Sequence, residues 1–440
     1  MNASLSLAER TRQALVDAKE VLRGDPISGD RYYSKEFMQQ EWDHMWTRTW
    51  QVGAVEAQFP DAGCVVTHEI GRESILMVRD DEGRIRAFYN VCQHRGNRMV
   101  ECEETKVRRL VCGYHSWCYG LNGNLLIAKD SEDFPQGSPV GKLSLKELRC
   151  ETFGGLVWFN MDREAKPLRE SLGVVADQLE AYEMDKMVRV MHLTCEVNCN
   201  WKVIQDNFNE AYHVQSLHKE LAAHIDDHYQ NTTFQIFNNG HSRMLMKGSL
   251  PAGGGKTKKV QAPLDDIMRG WGLDPQDFEG RVNEVRPALQ KQKRALGDER
   301  GYAQYANLTD DQLSDYYHYT LFPNMSFTMA AESYQILRPQ PHPTDPEKCL
   351  FDHWYFVRPA KGEKEAVTPL GMWPMEAAAH EVFTHGEKSM GFVADQDLSV
   401  AIAQQQGLHS RGYEDAYLAG QESRVRRYHE VINDYIAGRV

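Results

Sequence analysis

Residues 90–97, Asn-Val-Cys-Gln-His-Arg-Gly-Asn, and residues 111–117, Val-Cys-Gly-Tyr-His-Ser-Trp, decide how this chain is read. Reduced to metal-binding types they are Cys92-x-His94, seventeen residues, then Cys112-x-x-His115. Two thiolates and two imidazoles are also a structural zinc set. In zinc fingers, however, cysteine is paired with cysteine and histidine with histidine. Here each loop offers one of each, the distribution required by a 2Fe–2S cluster with two cysteines on one iron and two histidines on the other. The remaining cysteines, 64, 102, 118, 150, 195, 199 and 349, are scattered, and their total of nine is odd. Buried, inert thiols are the expected reading for them, Cys118 beside the second loop and Cys195-x-x-x-Cys199 included.

Working outward, the loops sit among short runs rich in β-branched and aromatic residues at 64–70, 74–79, 85–92, 109–112 and 156–159, with a turn signal at Asp80-Asp81-Glu82-Gly83. This predicts a small antiparallel β domain over residues 48–161. Before it, residues 5–23 and 34–50 read as amphipathic helices, Ser34 capping the second, in an N-terminal arm over residues 1–47 that packs with the larger domain. After it, a helix-like stretch at 200–220, strand-like runs at 325–338 and 349–358 and a helical pattern from about 412 to 437 predict an antiparallel sheet flanked by helices over 162–440. The fold class is therefore α+β. Residues 251–318, opening on Gly253-Gly254-Gly255, read as an inserted helical or mobile segment and a possible lid.

Sixty-three acidic against fifty basic residues leave a net charge of −13, which argues against a nucleic-acid partner. No apolar run reaches the roughly 18 to 20 residues of a membrane span. The opening residues carry no apolar signal core, so the cytoplasm is the expected compartment.

A second constellation lies in residues 200–220, NWKVIQDNFNEAYHVQSLHKE. Glu210 and His213 are about 60° apart on a helix and share a face. His213 and His218 are about 140° apart, so both reach one metal only if the helix ends, kinks or bulges between them. Two imidazoles plus a carboxylate make a site that leaves open positions on Fe(II) for dioxygen. Three other stretches mimic functional motifs. His380-Glu381-Val382-Phe383-Thr384-His385 repeats the histidine spacing without the acidic context and reads as an ordinary helix. Gly255-Lys256-Thr257 resembles the end of a phosphate loop but lacks its first glycine. The basic run Lys256–Lys259 reads as solvated surface.

These two motifs resemble the alpha subunits of Rieske non-haem iron ring-hydroxylating oxygenases. Cys112-Gly113-Tyr114-His115-Ser116-Trp117, followed by Asn122-Gly123, matches the family's second cluster loop except at Ser116, where glycine is usual and the backbone is more permissive. Asn200-Trp201-Lys202, Asp206-Asn207-Phe208 and Glu210-Ala211-Tyr212-His213 match its iron motif, with His218 at the expected distance. Gln396-Asp397, seven residues, then Gln405-Gln406-Gly407 matches the segment that supplies the carboxylate. Asp395 is the competing candidate, though an Asp at a helix start is often a cap.

The resemblance implies a Rieske 2Fe–2S cluster on Cys92, His94, Cys112 and His115, and a mononuclear Fe(2+) on His213, His218 and Asp397. Asn207 is expected to line the site, Tyr212 to help orient the ligands, and Phe208 to pack on substrate. Glu210 corresponds to an acid bridging the two centres across a subunit boundary. Electrons derived from NAD(P)H are expected through a separate reductase, with or without a ferredoxin, in a homotrimer or an α3β3 assembly with a small beta subunit. The implied reaction uses O2 to mono- or cis-dihydroxylate a small hydrophobic aromatic or polycyclic substrate. Oxidative O- or N-demethylation is the alternative within the family, a Rieske electron carrier or a structural zinc protein outside it.

Overall fold

The computed structural model describes residues 5–252, 257–368 and 371–440. The chain divides into two compact units, Trp42–Ser171, and Met1–Glu41 together with Leu172–Val440. Helix and antiparallel sheet are mixed, an α+β chain.

In the first unit, strands stand at Cys64–Ile70, Glu73–Arg79, Ile85–Tyr89, Leu110–Val111 and Leu156–Asn160, where the pattern of β-branched residues places them. Gln51–Val55 and Glu147–Phe153 add two more that the pattern does not announce. Seven strands pair antiparallel in the order 51–55, 156–160, 147–153, 85–89, 73–79, 64–70, 104–106, and a three-stranded sheet of 110–111, 118–119 and 125–127 lies apart from them. Val65, Leu76, Val78 and Phe88 form one core with Cys92, Leu110, Cys112, Trp117 and Tyr119, so both cluster loops are rooted in buried apolar side chains.

In the second unit the main sheet runs 15–16, 233–237, 242–248, 316–321, 325–329, 333–341, 349–357, 188–197, 381–384, with only the last pairing parallel. Several expectations change here. The 5–23 helix is interrupted: Leu7–Ala14 and Ala18–Val21 are helical, but Leu15 and Val16 pair antiparallel with Phe237 and Ile236. An edge strand's unpaired backbone groups recruit two residues with bulky apolar side chains, and Asp17 caps the next helix by accepting from Lys19 N. The 325–338 run is two strands, Met325–Met329 and Ser333–Pro341, and Val188–Val197 is a strand that the sequence reading missed. The C-terminal helix begins only at Ser423. His380–His385 is not helical either, since Glu381–Thr384 forms the parallel edge strand.

The Gly253–Gly255 opening of the insertion and the Gly255-Lys256 pair lie outside the described residues. Beyond them, Lys258 and Lys259 are exposed, and helices Leu264–Gly270 and Val285–Leu296 bury Leu264, Met268, Val285 and Leu289. Trp271, Tyr302 and Tyr305 are buried with them, and Lys293 pairs with Glu332 at 2.7 Å. The described part is therefore a packed helical insertion. Among the described residues, no helix is long and apolar enough to cross a membrane.

A buried ion pair ties the N-terminal arm to the helix that carries the second constellation. Lys202 Nζ lies 2.7 Å from Glu41 Oε1 with both side chains almost wholly buried. Burial pushes Lys202 down and Glu41 up, toward neutrality, while their mutual attraction opposes it. Removing one partner leaves the other charge buried alone. Lys202→Met is therefore expected to cost about 3–5 kcal/mol in denaturant unfolding, and Lys202→Met with Glu41→Leu to recover most of it.

Candidate functional site

The two cluster loops have the same backbone plan. Cys92 N donates to Asn97 O and Cys92 O accepts from Gly96 N; likewise Cys112 N donates to Trp117 O and Cys112 O accepts from Ser116 N. Each turn needs a left-handed residue at its fifth position. Gly96 supplies it at φ +76° without steric cost, whereas Ser116 adopts φ +59° at a cost of about 1 kcal/mol.

The turns place both sulfurs at the buried end and both imidazoles at the rim. Cys92 and Cys112 are each 2% exposed. His94 and His115 meet edge to face with ring centres 4.5 Å apart, and His94 stacks on Trp117 at 4.8 Å. Burial pushes the Cys92 thiol up and the facing Cys112 sulfur adds to this, while the Tyr119 hydroxyl and the His94 backbone N–H favour the thiolate. Tyr119 Oη accepts from Gln93 N at 3.1 Å, so its own proton is free for Cys92 Sγ at 3.4 Å. Burial, with His115 and Arg95, lowers His94, which keeps the imidazole neutral as a metal ligand must be. Two facing sulfurs and two facing imidazoles fit a mixed-ligand 2Fe–2S cluster. Tyr119 and Trp117 had no assigned role in the sequence reading; Tyr119 was legible only as the second residue after the loop's Trp.

In the second unit the 200–220 stretch is broken as the histidine spacing requires. The Trp201–Phe208 helix ends at Asn209, and His213 and His218 flank a four-residue helix, Val214–Leu217. Glu210 makes the break. Its Oε2 accepts from the backbone N–H groups of Tyr212 and His213, which a continuous helix would direct to Phe208 and Asn209. Thr320 donates to Asn209 Oδ1 at 2.6 Å and fixes the helix end.

Asn200 caps that helix by accepting from Lys202 N, and Asn200 N donates to Gln405 Oε1. The Asn-Trp-Lys and Gln-x-Gly motifs thus clamp Trp201–Phe208 to the Phe392–Leu408 helix, which carries Asp397. One ligating atom from each of His213, His218 and Asp397 falls within 4.8 Å of the others. Asp397 Oδ1 lies 2.8 Å from His218 Nε2 and 3.6 Å from His213 Nε2, yet among the described residues it has no hydrogen bond of good geometry, and it is buried. Two imidazole nitrogens and a carboxylate oxygen gathered this closely in a buried spot fit the ligand set of a metal site.

Behind the rings, His213 Nδ1 donates to Glu210 Oε1 at 2.5 Å and His218 Nδ1 to Gln396 Oε1 at 2.7 Å, which turns both Nε2 atoms toward Asp397. Burial alone would lower His218, but Asp397 and Gln396 outweigh it and raise it, so the spot favours positive charge. The sequence motif by itself gives Gln396 no role. Asp395 is occupied elsewhere, accepting from Ser389 Oγ and Met390 N to brace the start of the helix. Asn207 Nδ2 is buried without a partner among the described residues. Tyr212 does not orient ligands with its ring, which is 60% exposed; its backbone N–H is what contacts Glu210.

A cluster assignment carries its own test. His94→Ala or His115→Ala is expected to abolish the electron paramagnetic resonance signal of a mixed-ligand 2Fe–2S centre, and an unshifted signal in either variant refutes the ligand set.

Residues 49–137 match the Rieske [2Fe-2S] domain model, and residues 184–438 match the model of the ring hydroxylating alpha subunit catalytic domain. The chain is 29% identical over 225 residues to the glycine betaine monooxygenase oxygenase subunit of Pseudomonas aeruginosa, covering 50% of this chain and 52% of that protein. It is 32% identical over 204 residues to the carnitine monooxygenase oxygenase subunit of Escherichia coli K12, covering 46% and 54%. The chain thus spans about half the length of the curated relatives it matches. A solved structure of naphthalene 1,2-dioxygenase with indole in its active site superposes with a TM-score of 0.65 at 20% identity, covering 97% of this chain and 94% of that one.

Proposed function

The chain belongs to the ring-hydroxylating oxygenase alpha subunits, with a Rieske domain followed by the catalytic domain, and from that premise we propose that it is the terminal oxygenase of a system that oxidises a quaternary ammonium compound. The observation that carries the oxygenase part of this reading is the convergence of His213, His218 and Asp397 with both imidazoles held from behind. Cys92, His94, Cys112 and His115 hold the cluster, and His213, His218 and Asp397 hold the iron. Bound there, the iron supplies dioxygen activation with electrons relayed by the cluster. Glu210 and Gln396 fix the tautomers of the two iron-facing imidazoles. Asn207, whose Nδ2 is buried without a partner among the described residues, is assigned to line the site, and Phe208 to offer an apolar surface to the substrate.

The two sequence relatives are named for glycine betaine and for carnitine, both quaternary ammonium compounds. Naphthalene dioxygenase shares the fold, and a fold does not select a substrate. An aromatic hydrocarbon therefore gives way to the alternative of monooxygenation beside nitrogen. One oxygen atom enters a C–H bond and the other leaves as water, with two electrons and two protons consumed. An N-methyl hydroxylated in this way releases formaldehyde, a proton and the tertiary amine. The electrons come from NAD(P)H through a separate reductase, with or without a ferredoxin.

We further propose a homotrimer, with or without a small beta subunit, in which the cluster of one subunit serves the iron of the next, a head-to-tail contact that closes into a ring. The 257–318 insertion forms part of the entrance, and its amide exchange is expected to slow when substrate saturates the enzyme; unchanged exchange counts against that role. Product mass spectra test the main reading. One added oxygen, or a lost methyl with formaldehyde, from a trimethylammonium compound is the expected result. Two oxygens added to an aromatic hydrocarbon, with no turnover of any quaternary ammonium, overturns it.

A further inference from the structure

Tyr119 joins the strand behind the second cluster loop to the first loop. It stands on the central strand of the three-stranded sheet, paired with Leu110 on one side and Leu125 on the other. Its ring is fully buried in the core that Leu110, Leu121 and Leu125 share with both cluster cysteines, so packing holds it in one orientation. The hydroxyl is thereby delivered to the first loop. There Gln93 N donates to Tyr119 Oη at 3.1 Å, and Cys92 Sγ lies 3.4 Å from the same oxygen. One phenol contacts two consecutive residues of the opposite loop.

The direction of the contact with sulfur follows from the chemistry of a metal ligand. A cysteine that holds iron does so as the thiolate, which has no proton to give. The Gln93 backbone N–H cannot accept either. The single hydroxyl proton of Tyr119 therefore has one acceptor among the described residues, the Cys92 sulfur, and a buried hydroxyl left without a partner costs free energy. A hydrogen bond to a charged acceptor is the stronger kind.

We infer that the Tyr119 hydroxyl raises the reduction potential of the 2Fe–2S cluster by donating to the Cys92 thiolate. Reduction adds one electron, and so one negative charge, to the cluster and its ligand sulfurs. A donor fixed on one of those sulfurs stabilises the reduced form more than the oxidised one. The cluster then takes an electron from its donor more readily and passes it on with less driving force. Tyr119 acts through a ligand and is a positioning residue. The inference rests on Cys92 being a cluster ligand and is independent of the substrate.

The test is an anaerobic redox titration of the holoenzyme, followed by the resonance signal of the reduced cluster, with cluster content verified in each variant. Tyr119→Phe keeps the ring and removes the hydroxyl. It is expected to make reduction about tenfold less favourable, a fall of 59 mV for a one-electron couple. Replacing Tyr119 by 3-fluorotyrosine, a more acidic phenol and a stronger donor, is expected to raise the potential, and this decides the matter if Tyr119→Phe fails to hold the cluster. Tyr114→Phe is the control. Tyr114 packs on His115 with ring centres 3.7 Å apart, is 56% exposed and has no hydrogen bond to a cluster sulfur among the described residues, so its loss should leave the potential in place. An unchanged potential in Tyr119→Phe or in the fluorotyrosine enzyme, or an equal fall in Tyr114→Phe, overturns the inference while leaving the ligand set standing. A parent enzyme without the signal of a mixed-ligand cluster overturns the ligand set, and this inference with it.

Discussion

Asp397→Ala is expected to empty the mononuclear site while the 2Fe–2S cluster stays assembled and reducible. Asp397 is buried, its Oδ1 has no hydrogen bond of good geometry among the described residues, and the Nε2 atoms of two imidazoles face it at 2.8 and 3.6 Å. Removing it leaves two imidazoles and no anionic ligand to balance a divalent ion in a buried site. The effect should exceed the roughly 10–100-fold loss of metal affinity that follows removal of an outer hydrogen-bond partner. Gln396→Ala, which frees His218 Nδ1, should show that smaller loss. Asp395→Ala is the control: its carboxylate braces Ser389 and Met390, so iron content should hold while helix stability falls by about 0.5–2 kcal/mol. Iron quantified beside the cluster's resonance signal reads all three. Iron lost from Asp395→Ala but kept in Asp397→Ala reverses the assignment.

Glu210→Gln is expected to leave both metal centres largely filled and yet reduce turnover by about 10–100-fold, the scale expected when a partner orienting a metal ligand is lost. Both carboxylate oxygens act as acceptors, Oε1 for His213 Nδ1–H and Oε2 for the N–H groups of Tyr212 and His213. An amide of the same shape offers one acceptor and turns a donor toward the other set, so either the His213 ring or the chain break is disturbed. The bridging role adds a second readout. Mixing a subunit lacking the cluster, His115→Ala, with one lacking iron, Asp397→Ala, should restore part of the activity if electrons cross between subunits. A Glu210→Gln enzyme at the parental rate, or mixed subunits as inactive as either alone, refutes that role.

Much of the site was legible because metal chemistry restricts residue types and spacing. Cys92-x-His94 with Cys112-x-x-His115, and His213 with His218, stand out since few other roles require those residues at those intervals. The five-residue histidine spacing even forecast the broken helix, because 3.6 residues per turn cannot bring both rings to one metal. What broke it, the Glu210 carboxylate capturing two backbone N–H groups, is a local contact that spacing does not encode.

Short elements were less legible than long ones. Leu15–Val16 reads as helix in its own context and becomes strand only because the edge at 236–237 offers unpaired backbone groups. The 380–385 stretch likewise becomes strand beside residues 193–196, nearly two hundred positions away in the chain. A window of sequence contains neither partner.

The sequence by itself determined the two donor sets and the break in the helix between the histidines, because ligand chemistry and helical geometry act over a few residues. Tertiary structure decided which carboxylate faces the histidines, since Asp395 and Asp397 are two residues apart on one helix and point to different neighbours. It also decided which atom of each imidazole faces Asp397, through Glu210 and Gln396. Those outcomes depend on hydrogen bonds between residues from 3 to 178 positions apart, and the folded chain is what brings the distant donors and acceptors together.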